Sequence, residues 1–174
     1  MKNIASNKMT RALFIGRFQP FHNGHLAVVN DILKNFDEVI IGIGSSQEKN
    51  TFENPFSYNE RKKMISNTLK NFKIKNFKIF PIPDLYDDVK WISYILKNLP
   101  KFEMAYSGNE WTIRCFKKHK IKSKKIKLLK GINSTKIRKL MAQNKNWENL
   151  VPKEISGYIN KIKGMGRIRE ISNY

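Results

Sequence analysis

Glu38-Val39-Ile40-Ile41-Gly42-Ile43-Gly44 is a near-continuous apolar run. A strand open to water on one face alternates apolar with polar residues; a run apolar at successive positions belongs to a strand covered on both faces, as inside a parallel sheet. Working outward from it, Ala12-Leu13-Phe14-Ile15 is a second buried-type strand ending at Gly16. Between the two, Leu26, Val29, Asn30 and Leu33 recur at helical spacing, with Asn23 near the helix start. Downstream, Ser57 with Glu60 forms a capping box that opens a helix through Leu69. Phe77 to Ile82 reads as a third strand, punctuated by Pro81 and Pro83. Asp87 or Asp88 caps a helix holding Trp91, Ile92, Ile95 and Leu96, which Pro100 stops. Phe102 to Tyr106 is a fourth strand, Trp111 to Phe116 a short helix, and Ile126 to Leu129 a fifth strand. Ser134 opens a helix through Met141, and Pro152 to Ile171 reads as helical, broken at Gly164 to Gly166. Strand alternating with helix predicts an α/β fold: a Rossmann-like open parallel five-stranded sheet, helices on both faces, and a small helical C-terminal tail. No repeat or linker divides the chain, so residues 11–174 are expected to form one domain, preceded by a flexible N-terminal extension over residues 1–10.

Composition narrows the function classes. The chain has 174 residues, 34 Lys and Arg against 14 Asp and Glu, and a formal net charge of +20. From Trp111 to Trp147 there are thirteen Lys or Arg and no acid. A basic nucleic-acid-binding module built on Lys117 to Lys130 is one reading of that stretch, but no aromatic-interleaved RNA motif or zinc finger accompanies it, and a solvated lysine-rich face is favoured. Nucleic acid is therefore not expected as a partner. A single cysteine, Cys115, rules out an internal disulfide framework and suits a reducing cytoplasm. No stretch approaches the ~18–20 apolar residues of a membrane helix, and Met1 to Thr10 lacks an apolar signal core.

In parallel α/β sheets, ligands bind beyond the carboxyl ends of the strands. Just after the first strand lies Gly16-Arg17-Phe18-Gln19-Pro20-Phe21-His22-Asn23-Gly24-His25. His22 and His25 are three apart at a helix start, where unpaired N–H groups and a partial positive charge suit phosphate. Gly24 permits close approach to the backbone, and Arg17 adds a fixed cation. Zinc would require a third ligand at a convincing spacing, which is missing. Near the far end, Asn133-Ser134-Thr135-Lys136-Ile137-Arg138 offers hydroxyls at a helix start and a guanidinium one turn on. That is either a second phosphate cradle or a plain cap beside a solvated arginine. The Gly-x4-Gly-Lys-Ser/Thr loop is absent. Gly42-Ile43-Gly44 lacks the third glycine of a dinucleotide fingerprint and sits inside a strand, which argues against hydride transfer.

His22-x-Gly-His25 after the Gly16 to Phe21 turn, with Ser134-Thr135-x-x-Arg138, resembles the adenylyl/cytidylyltransferase superfamily. Further blocks narrow the resemblance to archaeal-type nicotinamide-mononucleotide (NMN) adenylyltransferases. These are Ile41 to Gln47, Glu53 to Phe56 with Glu60-Arg61, Pro83-Asp84-Leu85, Trp91-Ile92, Tyr106 to Asn109, and Trp147-x-x-Leu150-Val151-Pro152 with Ile162 to Gly164. The chain departs from that family's usual pattern in having Asn133-Ser134-Thr135 for Ser-Gly-Thr, and Glu110 where Pro follows Ser-Gly-Asn.

The resemblance implies a single nucleotidyltransferase domain that moves AMP from ATP to NMN, giving NAD and pyrophosphate, with Mg2+ accompanying ATP and no dedicated protein metal site. It implies that His22, His25, Arg17 and Arg138 serve the transfer. Gly16, Phe18, Gln19, Gly24, Ser107, Gly108, Asn109, Ser134 and Thr135 would surround ATP, and Asp84, Trp91 and Gln47 would surround NMN. It also implies a cytoplasmic homo-oligomer, often a hexamer. Nicotinate mononucleotide is a further acceptor to consider. Phosphopantetheine, flavin mononucleotide or a sugar phosphate on the same ATP site is the nearest rival reading. A class I aminoacyl-tRNA synthetase fragment would share the His-x-Gly-His logic, but no Lys-Met-Ser-Lys-Ser-like loop is present.

Overall fold

The computed structural model describes residues 8–127 and 129–172. Its elements run β1 (Arg11–Gly16), α1 (Asn23–Leu33), β2 (Glu38–Ile43), α2 (Tyr58–Asn71), β3 (Phe77–Pro81), α3 (Asp88–Asn98), β4 (Met104–Ser107), α4 (Glu110–Lys118), β5 (Ser123–Lys125), α5 (Ser134–Ala142), a 3-10 turn (Glu148–Leu150), α6 (Lys153–Lys161) and α7 (Gly164–Ser172). The sheet order is β3-β2-β1-β4-β5, and every pairing is parallel. From β1 the chain winds outward to β2 and β3, then crosses back to lay β4 on the other side of β1. The expected α/β architecture is the one observed.

Strand periodicity sorts the core into two layers. Ala12 and Phe14 of β1 face one way, with Val39 and Ile41 of β2, against α1, α2, α5, α6 and α7. Leu13 and Ile15 face the other way, with Ile40, against Trp91, Ile92 and Ile95 of α3 and Cys115 and Phe116 of α4. All six residues of β2 are buried, which explains its apolar run from Val39 to Ile43; Glu38 at its start is paired with Arg11 and Lys78. The Ser57–Glu60 box is present: Ser57 N–H donates to Glu60 Oε2 at 2.8 Å and Glu60 N–H to Ser57 Oγ at 3.3 Å.

Two boundaries differ from expectation. The fifth strand is Ser123–Lys125, not Ile126 to Leu129. An edge strand can be built from lysines because its outer flank faces water; Ile126 follows the strand, its N–H on the Ser107 carbonyl at 3.0 Å, and turns into the core. Leu128, within the expected strand, lies outside the described residues. In the tail, the helix breaks at Ile162–Lys163, not at Gly164 to Gly166, and Gly164 begins α7. A β-carbon at position 164 would lie 3.0 Å from the Phe56 ring and the Ile159 side chain, so glycine there permits close helix approach. Arg167 then fixes α7 to α2 through Glu60, Nη1 to Oε2 at 2.8 Å and Nη2 to Oε1 at 2.9 Å, and reaches the Pro55 carbonyl at 3.1 Å.

Of the expected N-terminal extension, residues 1–7 lie outside the described residues; Thr10 hydrogen-bonds Asp37 through its N–H at 2.7 Å and its hydroxyl at 2.8 Å. Among the described residues, no helix is long and apolar enough to cross a membrane.

Candidate active site

The strand order places β1 and β4 side by side while the connections after them run apart, and such a switch point opens a crevice at the strands' carboxyl ends. A cleft of about 470 Å3 occupies that position, floored by Phe14, Ile15 and Gly16. Arg17, His25, Asp84, Trp91, Ser107, Gly108, Asn109 and Thr135 also line it. Apart from Trp91, which lies on α3, these sit at or beyond the carboxyl ends of β1, β3 and β4 and, for Thr135, at the start of α5. Gly44, Ser45, Trp111, Thr112 and Ile126 complete the wall, and sequence reasoning had assigned them no role.

The β1–α1 turn is rigid. Phe18 adopts φ +53° and buries its ring edge-on against Phe14 and against His25, with centroids at 5.2 and 4.9 Å. At position 16 a β-carbon would sit 3.0 Å from that ring, so glycine is needed where the strand turns. Gln19 is buried and pairs with the Phe56 backbone, Nε2 donating to the carbonyl at 2.8 Å and Oε1 accepting the N–H at 3.0 Å. The side chains of Phe18 and Gln19 thus shape the turn from beneath.

His22 is the N-cap of α1 and His25 lies in its first turn. Their rings stack at 3.6 Å with an interplanar angle of 22°. The His22 N–H donates to His25 Nδ1 at 3.2 Å, so that nitrogen is an acceptor and the His25 proton sits on Nε2. Burial lowers the His22 pKa from 6.5 to about 4. Burial, and then the charge of His22, hold His25 well below its usual value. Two stacked rings in a desolvated site cannot both carry charge, so near pH 7 the pair is neutral and offers hydrogen-bond donors, not cations. Both His22 ring nitrogens are buried without a partner.

The far end of the chain closes on this turn. Ser134 Oγ donates to the Pro20 carbonyl at 3.1 Å, and Arg138 Nη1 donates to the Gln19 carbonyl at 2.9 Å. Arg138 is buried, packs over the Phe52 ring at 5.6 Å, and leaves Nε unpaired; its Nη2 lies 3.4 Å from Thr135 Oγ1. Burial, then the nearby Arg17 charge, lower its pKa to about 10, so it stays charged at neutral pH. The Ser134 proton is directed at protein, which leaves the exposed Thr135 as the cleft-facing hydroxyl of the pair. Buried Gly24 lies inside α1 and does not line the cleft.

On the opposite wall, Asn109 caps α4 by accepting the Thr112 N–H at 3.0 Å, and Ser107 Oγ accepts the Asn109 N–H at 3.2 Å. Glu110 pairs with Lys125 and ties α4 to β5. Gln47 accepts the Asp84 N–H at 3.1 Å, so it braces the loop that carries Asp84 and does not itself line the cleft. Trp91 is only 3% exposed, sheathed by Trp111 and Phe116 with ring centroids at 5.1 and 5.6 Å.

Arg61 was missed. It is fully buried in α2 and binds the carbonyls of Arg17 (2.8 Å), Gly44 (2.8 Å), Ser45 (2.9 Å) and Ser57 (3.3 Å). One guanidinium therefore joins the loops after β1 and β2. The available signal was its place on the apolar stripe of α2 with Met64, Ile65, Thr68 and Leu69. Burial, then Arg17, lower its pKa to about 10.

Comparison with known proteins gives the family. Residues 13–140 match the cytidylyltransferase-like family. The chain is 42% identical to a nicotinamide-nucleotide adenylyltransferase of Thermoplasma acidophilum, covering 97% of this chain and 96% of the relative. It is 43% identical to that of Saccharolobus solfataricus, covering 94% and 97%. A solved bifunctional NMN adenylyltransferase/ADP ribose pyrophosphatase of Francisella tularensis, complexed with AMP and a manganese ion, superposes with a TM-score of 0.74 at 26% identity. That match covers 94% of this chain and 52% of the other, so the chain spans about half of the bifunctional protein. The chain belongs to the cytidylyltransferase-like nucleotidyltransferases and, within them, to the archaeal-type nicotinamide-nucleotide adenylyltransferases.

Proposed function

We propose that the chain transfers AMP from MgATP to NMN, forming NAD and releasing pyrophosphate, with residues 11–174 acting as one domain. The observation that carries this reading is a set of partnerless buried polar atoms, both His22 ring nitrogens and Arg138 Nε, on residues that do not themselves line the cleft but sit against ones that do: His22 stacks on His25, and Arg138 Nη2 lies 3.4 Å from Thr135 Oγ1. Buried groups of this kind cost stability unless a ligand engages them, and phosphate oxygens suit donors of this type.

In the proposed reaction a 5′-phosphate oxygen of NMN attacks the α-phosphorus of ATP. The new P–O bond forms in line with the bond to the β-phosphate, which breaks, and pyrophosphate leaves with those electrons. The attacking phosphate has a second pKa near 6 and is already largely dianionic at pH 7, so no side-chain base is needed. The protein's work is alignment and charge stabilisation. His22 and His25 would donate to the α- and β-phosphoryl oxygens as neutral imidazoles. Arg138, with Thr135 beside it, would hold the β- and γ-phosphates, while Ser134 keeps the helix on the turn. Exposed Arg17 would bridge the transferring and accepting phosphates. Gly16, Phe18, Gln19 and Gly24 build the turn under the nucleotide; Ser107, Gly108 and Asn109 would line the adenosine side. Asp84, braced by Gln47, and the Trp91 wall would receive the nicotinamide nucleoside.

Among the described residues, no cluster of three His, Cys, Asp or Glu side chains could hold a metal ion. The divalent ion is accordingly proposed to enter as part of the substrate, coordinated by phosphate and water. We further propose a cytoplasmic homo-oligomer, with the hexamer as the expected closed form.

The test is incubation with ATP, Mg2+ and NMN while NAD and pyrophosphate are followed. Equimolar appearance of both is expected. Pyrophosphate release only with phosphopantetheine, flavin mononucleotide or a sugar phosphate would transfer the reading to another acceptor.

A further inference from the structure

We propose that Arg167, on the C-terminal helix α7 and outside the cleft, is a positioning residue that sets Arg138 in place for the triphosphate. This rests on the adenylyl-transfer reading above, in which Arg138 holds ATP. The link is the segment from Thr51 to Glu60, most of which lies between β2 and α2 and has no ladder of its own. Arg138 is gripped in two ways, and both lead there. Its guanidinium packs over the Phe52 ring at 5.6 Å, and Phe52 belongs to the segment. Its Nη1 donates to the Gln19 carbonyl at 2.9 Å, and Gln19 is clamped to the Phe56 backbone by two hydrogen bonds.

A loop passes on a position only as well as it is itself held. Thr51 and Asn54 exchange backbone bonds, the Asn54 N–H donating to the Thr51 carbonyl at 3.1 Å and the Thr51 N–H to that of Asn54 at 3.3 Å, which closes the turn carrying Phe52. The next residue is where α7 takes hold. Arg167 Nη1 donates to the Pro55 carbonyl at 3.1 Å, immediately before Phe56, while the same guanidinium grips both carboxylate oxygens of Glu60. A staple of α7 on α2 would need only the second contact; the first reaches into the loop. Only a planar fork spans both, so lysine is no substitute. The Arg167 and Glu60 side chains are 27% and 19% exposed, so water competes less than at a surface pair. Beside them Phe56 is fully buried in the same core layer as Ile168 of α7. Neither Arg167 nor Glu60 lines the cleft, so Arg167 acts on the triphosphate only through Arg138.

The experiment is a double-mutant cycle on the full chain: Arg167→Met and Arg167→Lys, each alone and with Arg138→Ala. Calorimetry without acceptor gives the Kd for MgATP, and turnover with NMN gives kcat. Arg167→Met is expected to raise that Kd and lower kcat, each roughly fivefold, with the KM for NMN unchanged. Arg167→Lys keeps a charge for Glu60 but loses the fork, and roughly threefold is expected. In the Arg138→Ala background neither substitution should have an effect, because its route to the triphosphate is gone. All variants are compared below the melting temperature of the least stable; should Arg167→Met fail to fold, Arg167→Lys completes the cycle. Wild-type protein that binds MgATP yet makes no NAD would fail the acceptor reading, while the binding cycle still decides the role of Arg167. Wild-type Kd and kcat in both Arg167 variants, or the same fold loss with and without Arg138, would overturn the proposal.

Discussion

The neutral histidine pair makes the protein sensitive to mild acid in a calculable way. Folding lowers the His22 pKa from 6.5 to about 4 through burial. The unfolded chain therefore binds that proton more tightly. Above pH 6.5 neither state is protonated and stability is unaffected; as pH falls from there toward 4, stability drains away; below 4 both states carry the proton and the loss is complete. Between pH 7 and pH 5, His22 alone should cost about 2 kcal/mol. His25, displaced in the same direction by burial and by His22, adds to this loss. Urea unfolding at the two pH values measures it, with His22→Gln as the subtraction that removes other titrating groups. Wild type should lose about 2 kcal/mol more than the variant. Saturating MgATP should shrink the difference, because an anion against the rings raises their pKa. Equal losses in wild type and His22→Gln would refute the claim that these histidines are held neutral by desolvation.

Arg138→Ala should lower kcat by roughly 10²-fold, the size of a lost transition-state charge contact; a melting curve close to wild type, measured in parallel, separates this from unfolding. Arg61→Met should cost about 3 kcal/mol or more, because the carbonyls of Arg17, Gly44 and Ser45 lose their donor. Denaturant titration reads that loss, and an unchanged midpoint would show that the loops hold their positions without it. Asp84→Asn removes a negative charge from the cleft wall and should raise kcat/KM for nicotinate mononucleotide relative to NMN by roughly tenfold. A competition assay with both acceptors gives the ratio directly.

Sequence reasoning succeeded where one physical demand dominates a segment. β2 is apolar at successive positions because both of its faces are covered, and β1 because its residues divide between two core layers. The β1–α1 turn stood out as the proposed phosphate site because glycine, arginine and paired histidines at a strand–helix junction have few other uses together. What escaped was set by tertiary context. β5 is lysine-rich because it is an edge strand, and periodicity does not reveal which strand will be the edge. Nothing local to Trp91 announces that Trp111 covers it, since the two lie on different helices. Ser134 looked like a phosphate ligand, yet its proton is committed to a carbonyl 114 residues away in sequence.

The charge of the molecule illustrates the same distinction between amount and arrangement. A net +20 says little about the site, because exposed lysines repel one another weakly through water and are screened within about 10 Å at moderate salt. Three arginines matter more. Arg17, Arg61 and Arg138 gather around the β1–α1 turn, and among the described residues none of them forms an ion pair, although Arg11 and Arg167 do. Arg61 and Arg138 are satisfied chiefly by backbone carbonyls, which hold the guanidinium in place without cancelling its charge. Their lowered pKa values record first the cost of taking each charge out of water and then the nearby Arg17 charge. A carboxylate partner would relieve that cost and would also neutralise the field needed where a triphosphate must be drawn in and pyrophosphate charge must develop. The unpaired arginines are thus best explained as stability withheld from the folded chain and recovered when the polyanion binds.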